Sequence, residues 1–467
     1  MKESEKNRVV VTKKYDDKLG PDVDQDRVAP AGEGLLGKGS SRRDFVGFLA
    51  LGGAFLAACQ TQAPQQGVHL TPGPRQAPDG RPLKAGLIGC GGRGTGAAGD
   101  FLDAGPNLSI TALADVFPDR LERCRQVLKE KRGVEVADDR CFVGFDAYLK
   151  LLETDVDMVI QATPPHFRPE HFRAAVEARK HVFMEKPLAV DPVGVRSVLE
   201  TAERAEALGL RVVTGTQYRH QKSYIETYNR IMDGGIGDLM YARGYSLRGQ
   251  LWYRLPEEGW SEMEAMLRDW VNWNWLSGDH IVEQYIHGLD ILFWFTGEFP
   301  AKANGVGGRA RRVTGDQYDF FSVDYEAPSG RHMHGMSRQI DGCTNNISDW
   351  VVGTKGYTNC RDTIFDHDGN VVWKYEPPQQ EEDNSPYVQE HIDLVTAIRL
   401  EQPINEAATT AHSTLAAIMA RESAYTGLEV TWDELMQSDM RLGPTTYEFG
   451  PVDIEKRVPV PGIQKEA

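Results

Sequence analysis

The chain has 467 residues, enough for two domains, and its 40% hydrophobic and 26% charged residues are the composition of a globular protein. Its formal charge is −16, from 52 basic and 68 acidic side chains, and such an acidic protein repels nucleic acid, so we predict no nucleic-acid partner. Six cysteines without a C-x-x-C pair exclude a zinc or iron–sulfur signature, and we predict no metal site. One disulfide is allowed outside the cytoplasm, but the pattern does not select a pair among Cys90, Cys124, Cys141, Cys343 and Cys360.

The first 59 residues have the features of an export signal. Residues 1–40 are polar without an apolar period, which predicts disorder. In Ser40–Val46 a pair of arginines stands before the apolar run 47–58, which is too short to span a bilayer, and this order resembles a twin-arginine signal. The run leads into Leu-Ala-Ala-Cys, which resembles a lipobox whose Cys59 becomes the lipidated first residue of the mature protein. We therefore expect an exported protein, periplasmic or at the cell surface, that meets the membrane only through a lipid anchor on Cys59. The alternative is a helix with a chance arginine pair.

A glycine-rich loop follows the first predicted strand, Leu83–Ile88, without a break. It has the spacing G-x-G-x-x-G: Gly89 allows a tight turn, Gly91 lets the backbone approach a pyrophosphate, and Gly94 lets the next helix pack on the strand. The N-terminus of that helix offers unpaired N–H groups to phosphates. The predicted cofactor-binding residues of this loop are Gly89, Gly91, Gly92, Arg93 and Gly94.

The second predicted strand, Leu108–Ala114, ends in a carboxylate. Asp115 lies 21 residues after Gly94, where it accepts hydrogen bonds from the hydroxyls of an adenosine ribose and repels a 2′-phosphate. This position favours NAD as the cofactor, although Arg120 keeps NADP as the alternative. A glycine-rich turn without a ligand is the other interpretation of the loop.

Strand and helix patterns continue to alternate up to residue 214. The predicted helices are 118–131, 146–153, 169–179 and 192–208, and the predicted strands are 156–162, 181–184 and 210–214. Repeating strand–helix units predict a parallel, doubly wound sheet, which binds its ligand at the carboxyl ends of the strands. Further predicted cofactor contacts fall at those ends: Thr163, Pro164 and His166 after one strand, and Glu185 and Lys186 after another.

Four segments resemble the Gfo/Idh/MocA oxidoreductase family: Gly89–Gly94, Ala162–Pro164, Glu185–Pro187 and Val282–Asp290. The resemblance implies an α/β fold with an N-terminal Rossmann domain and a C-terminal α+β domain that has a large, mostly antiparallel sheet. It further implies an NAD(P)-dependent oxidoreductase that acts on a CH–OH group of a sugar, polyol or glycoside. A homo-oligomer, a dimer or tetramer, is also expected.

The same resemblance implies three catalytic residues. Lys186, in Glu-Lys-Pro, is expected beside the nicotinamide and the reacting hydroxyl. His287 matches the histidine of the family's D-x-x-x-H motif, while Glu283 stands where that motif has aspartate. An imidazole is the natural base for removing a hydroxyl proton, since its ordinary pKa is about 6.5.

An apolar stripe predicts one continuous helix around this histidine. The stripe recurs at helical spacing and consists of Val282, Ile286, Leu289 and Phe293. On such a helix Glu283, His287 and Asp290 share a neighbouring face. The alternative is a solvated polar face on a core helix.

Two further features suggest where a substrate binds. Gln217 and Arg219 follow the last predicted Rossmann strand, where we expect them to meet the cofactor amide or substrate hydroxyls; ordinary linker contacts are the alternative. Five tryptophans precede the His287 helix: Trp252, Trp260, Trp270, Trp273 and Trp275. Because aromatic faces stack on sugar rings, they suggest a carbohydrate substrate, with a packed aromatic cluster as the alternative. The predicted substrate-binding residues are Lys186, Arg219, Glu283, His287 and Asp290.

Export of a folded NAD enzyme predicts a tightly held cofactor that is recycled within the site, because no nicotinamide pool replenishes it outside. One scheme oxidises a first sugar and reduces a second substrate. Another oxidises a hydroxyl transiently, so that elimination or epimerisation follows before the hydride returns; the net reaction is then that of a glycosidase or epimerase. A non-enzymatic, cofactor-bound sugar-binding lipoprotein is a further alternative.

The predicted organisation has five parts. They are the disordered segment and signal (1–59), a flexible linker (60–82), the Rossmann domain (83–215), the second domain (216–440) and a tail (441–467). Within the second domain, alternating patterns predict strands over 300–375, a surface loop over 376–386, and helices at about 387–400 and 411–425.

Overall fold

The computed structural model describes residues 69–377 and 383–462. The predicted disordered segment, the arginine pair and Cys59 lie outside the described residues, and so do residues 378–382 of the predicted surface loop. Within the described ranges, no helix has both the length and the apolar character needed to cross a bilayer.

Six parallel strands form the first sheet, in the order β3-β2-β1-β4-β5-β6. They are β1 (Leu83–Ile88), β2 (Leu108–Asp115), β3 (Cys141–Val143), β4 (Met158–Gln161), β5 (His181–Met184) and β6 (Val212–Thr214). The sheet is that of a Rossmann domain and confirms the predicted alternation. The strand order reverses between β1 and β4, and such a switch point opens a crevice outside the carboxyl ends of the strands.

Five helices connect these strands, and the four whose bounds were predicted begin within one residue of the predicted position. They are α1 (Gly92–Asp103), α2 (Pro118–Arg132), α3 (Ala147–Leu152), α4 (Arg168–Glu177) and α5 (Pro192–Ala207). At the start of α5, the Asp191 carboxylate accepts a hydrogen bond from the N–H of Gly194 at 2.7 Å, as an N-cap does. Gly133 ends α2 with φ +66°, a conformation that favours glycine.

Nine strands form the second sheet, in the order β14-β13-β12-β11-β7-β10-β9-β8-β15. They are β7 (Leu239–Arg248), β8 (Lys302–Gly308), β9 (Phe320–Glu326), β10 (His332–Gln339), β11 (Asn346–Gly353), β12 (Tyr357–Thr358), β13 (Thr363–Phe365), β14 (Val371–Lys374) and β15 (Val430–Thr431). Neighbouring strands pair antiparallel except β7 and β10, which are parallel. The large, mostly antiparallel sheet is therefore confirmed.

The second half of the described chain also contains helices, some of which pack on this sheet and some on the first domain. They are α6 (Lys222–Met232), α7 (Glu262–Arg268), α8 (Asn274–Ser277), α9 (His280–Glu283), α10 (Ile286–Thr296), α11 (Pro386–Arg399), α12 (Ala407–Thr426) and α13 (Trp432–Gln437). Helix α10 packs on β7 and β11, and α12 packs on β8. Helix α11 also packs on α1 of the Rossmann domain, and α12 on α5, so the two domains share a continuous interior.

The helix predicted over Val282–Phe293 is broken, which corrects the expectation of one continuous helix. The chain leaves α9 after Glu283 and begins α10 at Ile286, and the N–H of Tyr285 donates to the carbonyl of His280, five residues back. The Tyr285 hydroxyl is anchored on the carbonyl of Gly244 in β7. This tertiary anchor widens the turn locally, which periodicity alone does not reveal.

The described part of the predicted flexible linker, 69–82, packs against the fold. Ala77 is buried, and its N–H donates to the carbonyl of Ala104 at 2.9 Å. The guanidinium of Arg399 donates to the carbonyl of Pro78 at 2.6 Å. A run rich in proline, glycine and glutamine therefore has fixed contacts here, because α11 and α1 supply donors and a surface for it.

The described residues contain no disulfide. Each of the five cysteines described carries a free thiol.

Candidate active site

A cleft of about 910 Å³ lies at the carboxyl ends of β1, β2 and β4. The glycine loop, Asp115, Thr163 and Pro164 are among the residues that line it. The volume is within the usual range for a small-molecule site, about 300–1,000 Å³.

The glycines of the loop fit a dinucleotide. Gly89 has φ +97°, and a Cβ there would lie 2.7 Å from the backbone of Ala162 and Thr163. At Gly94 a Cβ would lie 1.9 Å from the carbonyl oxygen of Gly89, so only glycine lets α1 pack this closely. By contrast, a Cβ at Gly91 would meet nothing within 4 Å. The backbone at Gly91 therefore faces open space, where a pyrophosphate can approach it.

Asp115 is the last residue of β2 and lies next to the start of the glycine loop. Its carboxylate accepts hydrogen bonds from the N–H of Cys90 at 2.7 Å and from the N–H of Phe117 at 2.8 Å. Burial raises its pKa, while these two backbone donors act against that rise. Each carboxylate oxygen retains a lone pair, so the residue is able to accept ribose hydroxyls as predicted.

His166, a predicted cofactor contact, packs against Tyr447 and Trp275 instead of lining the cleft. Its Nε2 lies 2.7 Å from the hydroxyl of Tyr447, its ring packs edge-on against Trp275, and it does not line the cleft. Burial lowers its pKa to about 3. The predicted tail supplies Tyr447, so residues after 440 complete the packing beside the cleft.

Arg93 connects the glycine loop to the Glu-Lys-Pro segment. Its Nε donates to Glu185 at 2.5 Å, and its Nη2 lies 3.2 Å from Asp100 and 3.6 Å from Glu390. The neighbouring carboxylates raise the pKa of Arg93 against the effect of its burial. Glu390 is fully buried, and burial beside Glu185 holds its pKa well above the ordinary value. The guanidinium is thus committed to protein carboxylates.

Lys186 meets the second domain through Glu283. Its Nζ donates to the backbone carbonyl of Glu283 at 2.5 Å and to the carboxylate Oε1 at 3.1 Å. Both side chains are largely buried, and strand β5, which precedes the lysine, is next to β4 in the sheet. The lysine therefore lies farther along the same sheet edge as the nucleotide cleft.

A chain of hydrogen bonds holds Glu283 in place. Its Oε2 accepts from the amide of Gln284, whose Oε1 accepts from Gln339 in β10 at 2.9 Å. Gln339 in turn accepts from the buried Arg312 at 2.6 Å. This network fixes the carboxylate that faces Lys186, even though α9 is short and separate from α10.

His287 is the second residue of α10 and follows Glu283 by four positions. The imidazole is half-buried, and its ring centroid lies 5.8 Å from that of Tyr218 in a T-shaped contact. Burial, together with the positive charges of Lys186 and Arg248, holds its pKa well below the ordinary value. The imidazole is therefore neutral near pH 7 and able to accept a proton.

Arg219 and Asp290 are paired with each other. Arg219 donates from Nε at 2.7 Å and from Nη2 at 2.9 Å to the two carboxylate oxygens of Asp290, which also accepts from Ser413 at 2.7 Å. Asp290 is buried, so its oxygens are occupied by protein donors. The pair therefore holds α10 to the turn after β6. Direct substrate contact by either residue stays a prediction.

Gln217 is buried beside α11. Its Nε2 lies 3.4 Å from the hydroxyl of Tyr387, and its Oε1 is buried without a hydrogen-bond partner among the described residues. An unpaired buried acceptor of this kind is consistent with the predicted contact to a cofactor amide.

The tryptophan-rich segment lies at the nucleotide cleft rather than around the catalytic residues. The residues of this segment that line the cleft are Trp252, Arg254, Leu267, Arg268 and Trp270. Arg268 pairs with both oxygens of Asp119, at 3.0 and 3.1 Å, and lies 4.0 Å above the ring of Phe117. The five tryptophans therefore do not surround Lys186 and His287; two of them form the wall next to Asp115. Their density is visible in the sequence, but the position of the segment depends on tertiary packing.

These features define an α/β protein in which the glycine loop and cleft of a Rossmann sheet fit a dinucleotide, and in which Glu283 of the second half of the chain meets Lys186 at the same sheet edge. Across the described residues, no group of three metal-ligating side chains is arranged to hold an ion.

Residues 83–213 match the family described as "Oxidoreductase family, NAD-binding Rossmann fold", the Gfo/Idh/MocA family. A glycosyl hydrolase family 109 protein of Streptomyces coelicolor is 28% identical over 221 residues, 44% of this chain and 44% of the relative. An inositol 2-dehydrogenase of Salmonella typhimurium is 26% identical over 220 residues, 46% of this chain and 55% of the relative. The chain thus spans about half the length of these curated relatives.

Solved structures share the fold. A scyllo-inositol dehydrogenase from Lactobacillus casei, with bound NAD(H) and scyllo-inositol, superposes with a TM-score of 0.57 at 21% identity, over 75% of this chain and 99% of that one. At this identity the likeness shows the fold alone.

Proposed function

We propose that this protein is an NAD-dependent oxidoreductase that acts on a CH–OH group of a sugar, polyol or glycoside. One observation carries the proposal: Lys186 from the Rossmann sheet and Glu283 beside His287 from the second domain meet at the sheet edge that continues from an open glycine loop. The match of residues 83–213 to an NAD-binding family and the fit of Gly89, Gly91 and Gly94 support NAD as the cofactor.

Oxidation of an alcohol removes a proton from oxygen and a hydride from carbon, and the nicotinamide, when bound, supplies the hydride acceptor. The proton passes to the neutral imidazole of His287, and the C–O bond becomes a carbonyl. The ammonium of Lys186 donates a hydrogen bond to the reacting oxygen and stabilises its developing negative charge. Glu283 orients that ammonium, since it accepts from Nζ through both its carbonyl and its carboxylate.

Lys186→Ala tests this assignment against a non-enzymatic sugar-binding protein. We expect the variant to keep its bound cofactor and to lose at least 100-fold in turnover, on the order of what positioned acid–base groups contribute. Lys150→Ala is the matched control, because Lys150 forms only a surface ion pair with Asp146. Turnover that survives in Lys186→Ala would remove the lysine from the mechanism.

We also propose that the cofactor is retained and recycled within the site. The support is the second-domain segment that lines the cleft beside Asp115, where Trp252 and Trp270 pack at 6.2 Å between centroids and Arg254 lies next to them. A dinucleotide enclosed by this wall leaves only when the segment moves. Purification without added NAD tests this: we expect about one nicotinamide per chain by absorbance. A protein that arrives empty and binds NAD reversibly at micromolar concentration would contradict retention.

Internal recycling allows two net reactions. In one, a first sugar is oxidised and a second substrate takes back the hydride. In the other, transient oxidation acidifies the neighbouring C–H and leads to elimination or epimerisation; the relative in glycosyl hydrolase family 109 favours keeping this second candidate. Incubation of the protein with single glycosides, and then with pairs of sugars, without added NAD distinguishes them, because only the first reaction requires a second substrate.

We also propose a periplasmic or cell-surface location with a lipid on Cys59, because residues 40–59 resemble an export signal that ends in a lipobox. Cys59→Ser is expected to move the protein from the membrane fraction to the soluble fraction. A homo-oligomer is also proposed, since the outer face of the large sheet leaves Tyr241, Tyr245 and Trp350 half-exposed, and light scattering on the purified protein tests it.

A further inference from the structure

Arg248 is the last residue of β7 and faces the catalytic side of the second sheet. It pairs in register with Gln339 of the parallel strand β10, so the two side chains project from the same face. On that face Gln339 contacts Gln284 at 2.9 Å, and Ser337 contacts His280 at 3.0 Å. Arg248 therefore projects toward α9 and α10, which carry Glu283 and His287, and its charge is close enough to lower the pKa of His287.

Its guanidinium has no partner within the described ranges of the chain. No hydrogen bond, ion pair or ring contact involves this group, and its Nε is buried. Other arginines near the site are engaged: Arg93 with Glu185, Arg219 with Asp290, and Arg312 with Gln339. A partly buried cation without a counter-charge is costly, and beside candidate catalytic residues it indicates a ligand that supplies the charge.

The count of charges indicates what that ligand carries. Lys186 is already paired with Glu283, so Arg248 is the uncommitted cation beside His287 among the described residues. One positive charge matches one negative charge, and the planar fork of a guanidinium matches a carboxylate through two parallel hydrogen bonds. A phosphate dianion would require more positive charge than this position offers.

We propose that the substrate is a sugar acid, a uronic or aldonic acid, whose carboxylate binds Arg248 while its hydroxyl lies between Lys186 and His287. The inference rests on the proposed oxidoreductase function, because it places the substrate at those two residues. It names Arg248 as the residue that selects acidic over neutral sugars. The protein as a whole carries a charge of −16, so its bulk charge repels such an anion, and attraction has to come from this local cation.

The test is binding to the purified protein with its cofactor in place, measured by calorimetry. The probes are D-glucuronate and D-galacturonate, with D-glucose and D-galactose as their neutral counterparts. We expect at least one acid to bind tenfold or more tightly than its neutral partner. Arg248→Gln removes that preference, and Arg248→Lys keeps part of it, because an ammonium retains the charge but not the fork. Arg243→Gln is the control, since Arg243 lies exposed on the opposite face of β7 and contacts only Tyr245.

A second readout separates ligand binding from a structural role. In Arg248→Gln the pKa of His287 rises, so the acid limb of the kcat/KM profile moves to higher pH. If Arg248→Gln does not fold, acetate and formate replace the sugars: each raises the thermal midpoint of the wild type, and Arg248→Lys reduces that rise.

Equal binding of acidic and neutral sugars by the wild type overturns the proposal, and so does an acid preference that survives in Arg248→Gln. The two proposals fail separately. A protein that turns over neutral sugars with bound NAD refutes only the sugar-acid inference, whereas acid binding that depends on Arg248 without any turnover refutes the oxidoreductase function.

Discussion

Replacing Gly91 by alanine tests the nucleotide site without disturbing the fold. Gly91 has φ −70°, which any residue adopts, and a Cβ there would meet no atom within 4 Å. As the N-cap of α1, alanine is somewhat worse than glycine, but it also reduces the entropy of the unfolded chain, and the two effects nearly cancel. We expect the free energy of unfolding of the cofactor-free protein to change by less than about 0.5 kcal/mol.

The effect on the cofactor is much larger. The methyl group would occupy the space through which a pyrophosphate reaches the backbone N–H groups at the start of α1. Loss of one hydrogen bond to a charged group costs about 1.5–3 kcal/mol. This corresponds to a Kd for NAD that is raised about 10- to 150-fold, since about 1.4 kcal/mol is a factor of ten.

Two matched alanine variants calibrate the result. Gly96 is exposed in the interior of α1, where a Cβ would lie 3.6 Å from Arg93, so Gly96→Ala should gain up to about 1 kcal/mol of stability with no change in Kd. Gly94→Ala should lose both stability and binding, because its Cβ would overlap the carbonyl of Gly89. Calorimetric titration with NAD and urea unfolding of all three variants provide the two readouts. Wild-type NAD affinity in Gly91→Ala would refute the assignment of the glycine loop to the nucleotide. Loss of the folded state in this variant would refute the inference that a Cβ at Gly91 faces open space.

Three further predictions concern titratable groups. Because the pKa of His287 is held well below 6.5, kcat/KM should stay level as the pH falls to 6.5 and decline only below it; an acid limb at or above pH 6.5 would argue against this histidine as the base. His220 lies 2.6 Å from Asp393 and 3.2 Å from Glu406, and His220→Ala should cost about 1.5–3 kcal/mol in urea unfolding, because it removes a charged donor that two partly buried carboxylates share. Its folded pKa is raised, so this contribution is complete below pH 6.5 and is lost as the pH rises through the folded pKa; a loss on acidification in that window would contradict the pairing. Burial raises the pKa of Asp349 to about 7, so the free energy of unfolding falls as the pH rises from about 4 to 7. Asp349→Asn should therefore stabilise the protein by about 1–3 kcal/mol at pH 8 but not at pH 4. Thermal unfolding at both pH values measures this difference.

Much of the first domain is predictable because its signals are local. The strand Leu83–Ile88, the glycine loop and the Asp191 cap each depend on residues a few positions apart, and the structure has all three. The break at Tyr285 was not predictable from periodicity, because a hydroxyl bonded to a distant strand produces it.

Residues of the candidate site also differ in whether local sequence signals reveal them. Lys186, Glu283 and His287 could be named from motifs, but Arg248 has no motif, and only the register of β7 with β10 orients it toward α10. The tryptophan segment was noticeable by composition, yet its place beside Asp115 follows from how α7 packs on Phe117.

The sequence by itself therefore determined the type of domain, the nucleotide loop and the carboxylate at the end of β2, since turn chemistry and periodicity act between near neighbours. Only the tertiary structure decided which side chains became partners. Arg219 meets Asp290 across 71 positions and Lys186 meets Glu283 across 97, and no window of sequence contains the packing of two domains that sets those distances.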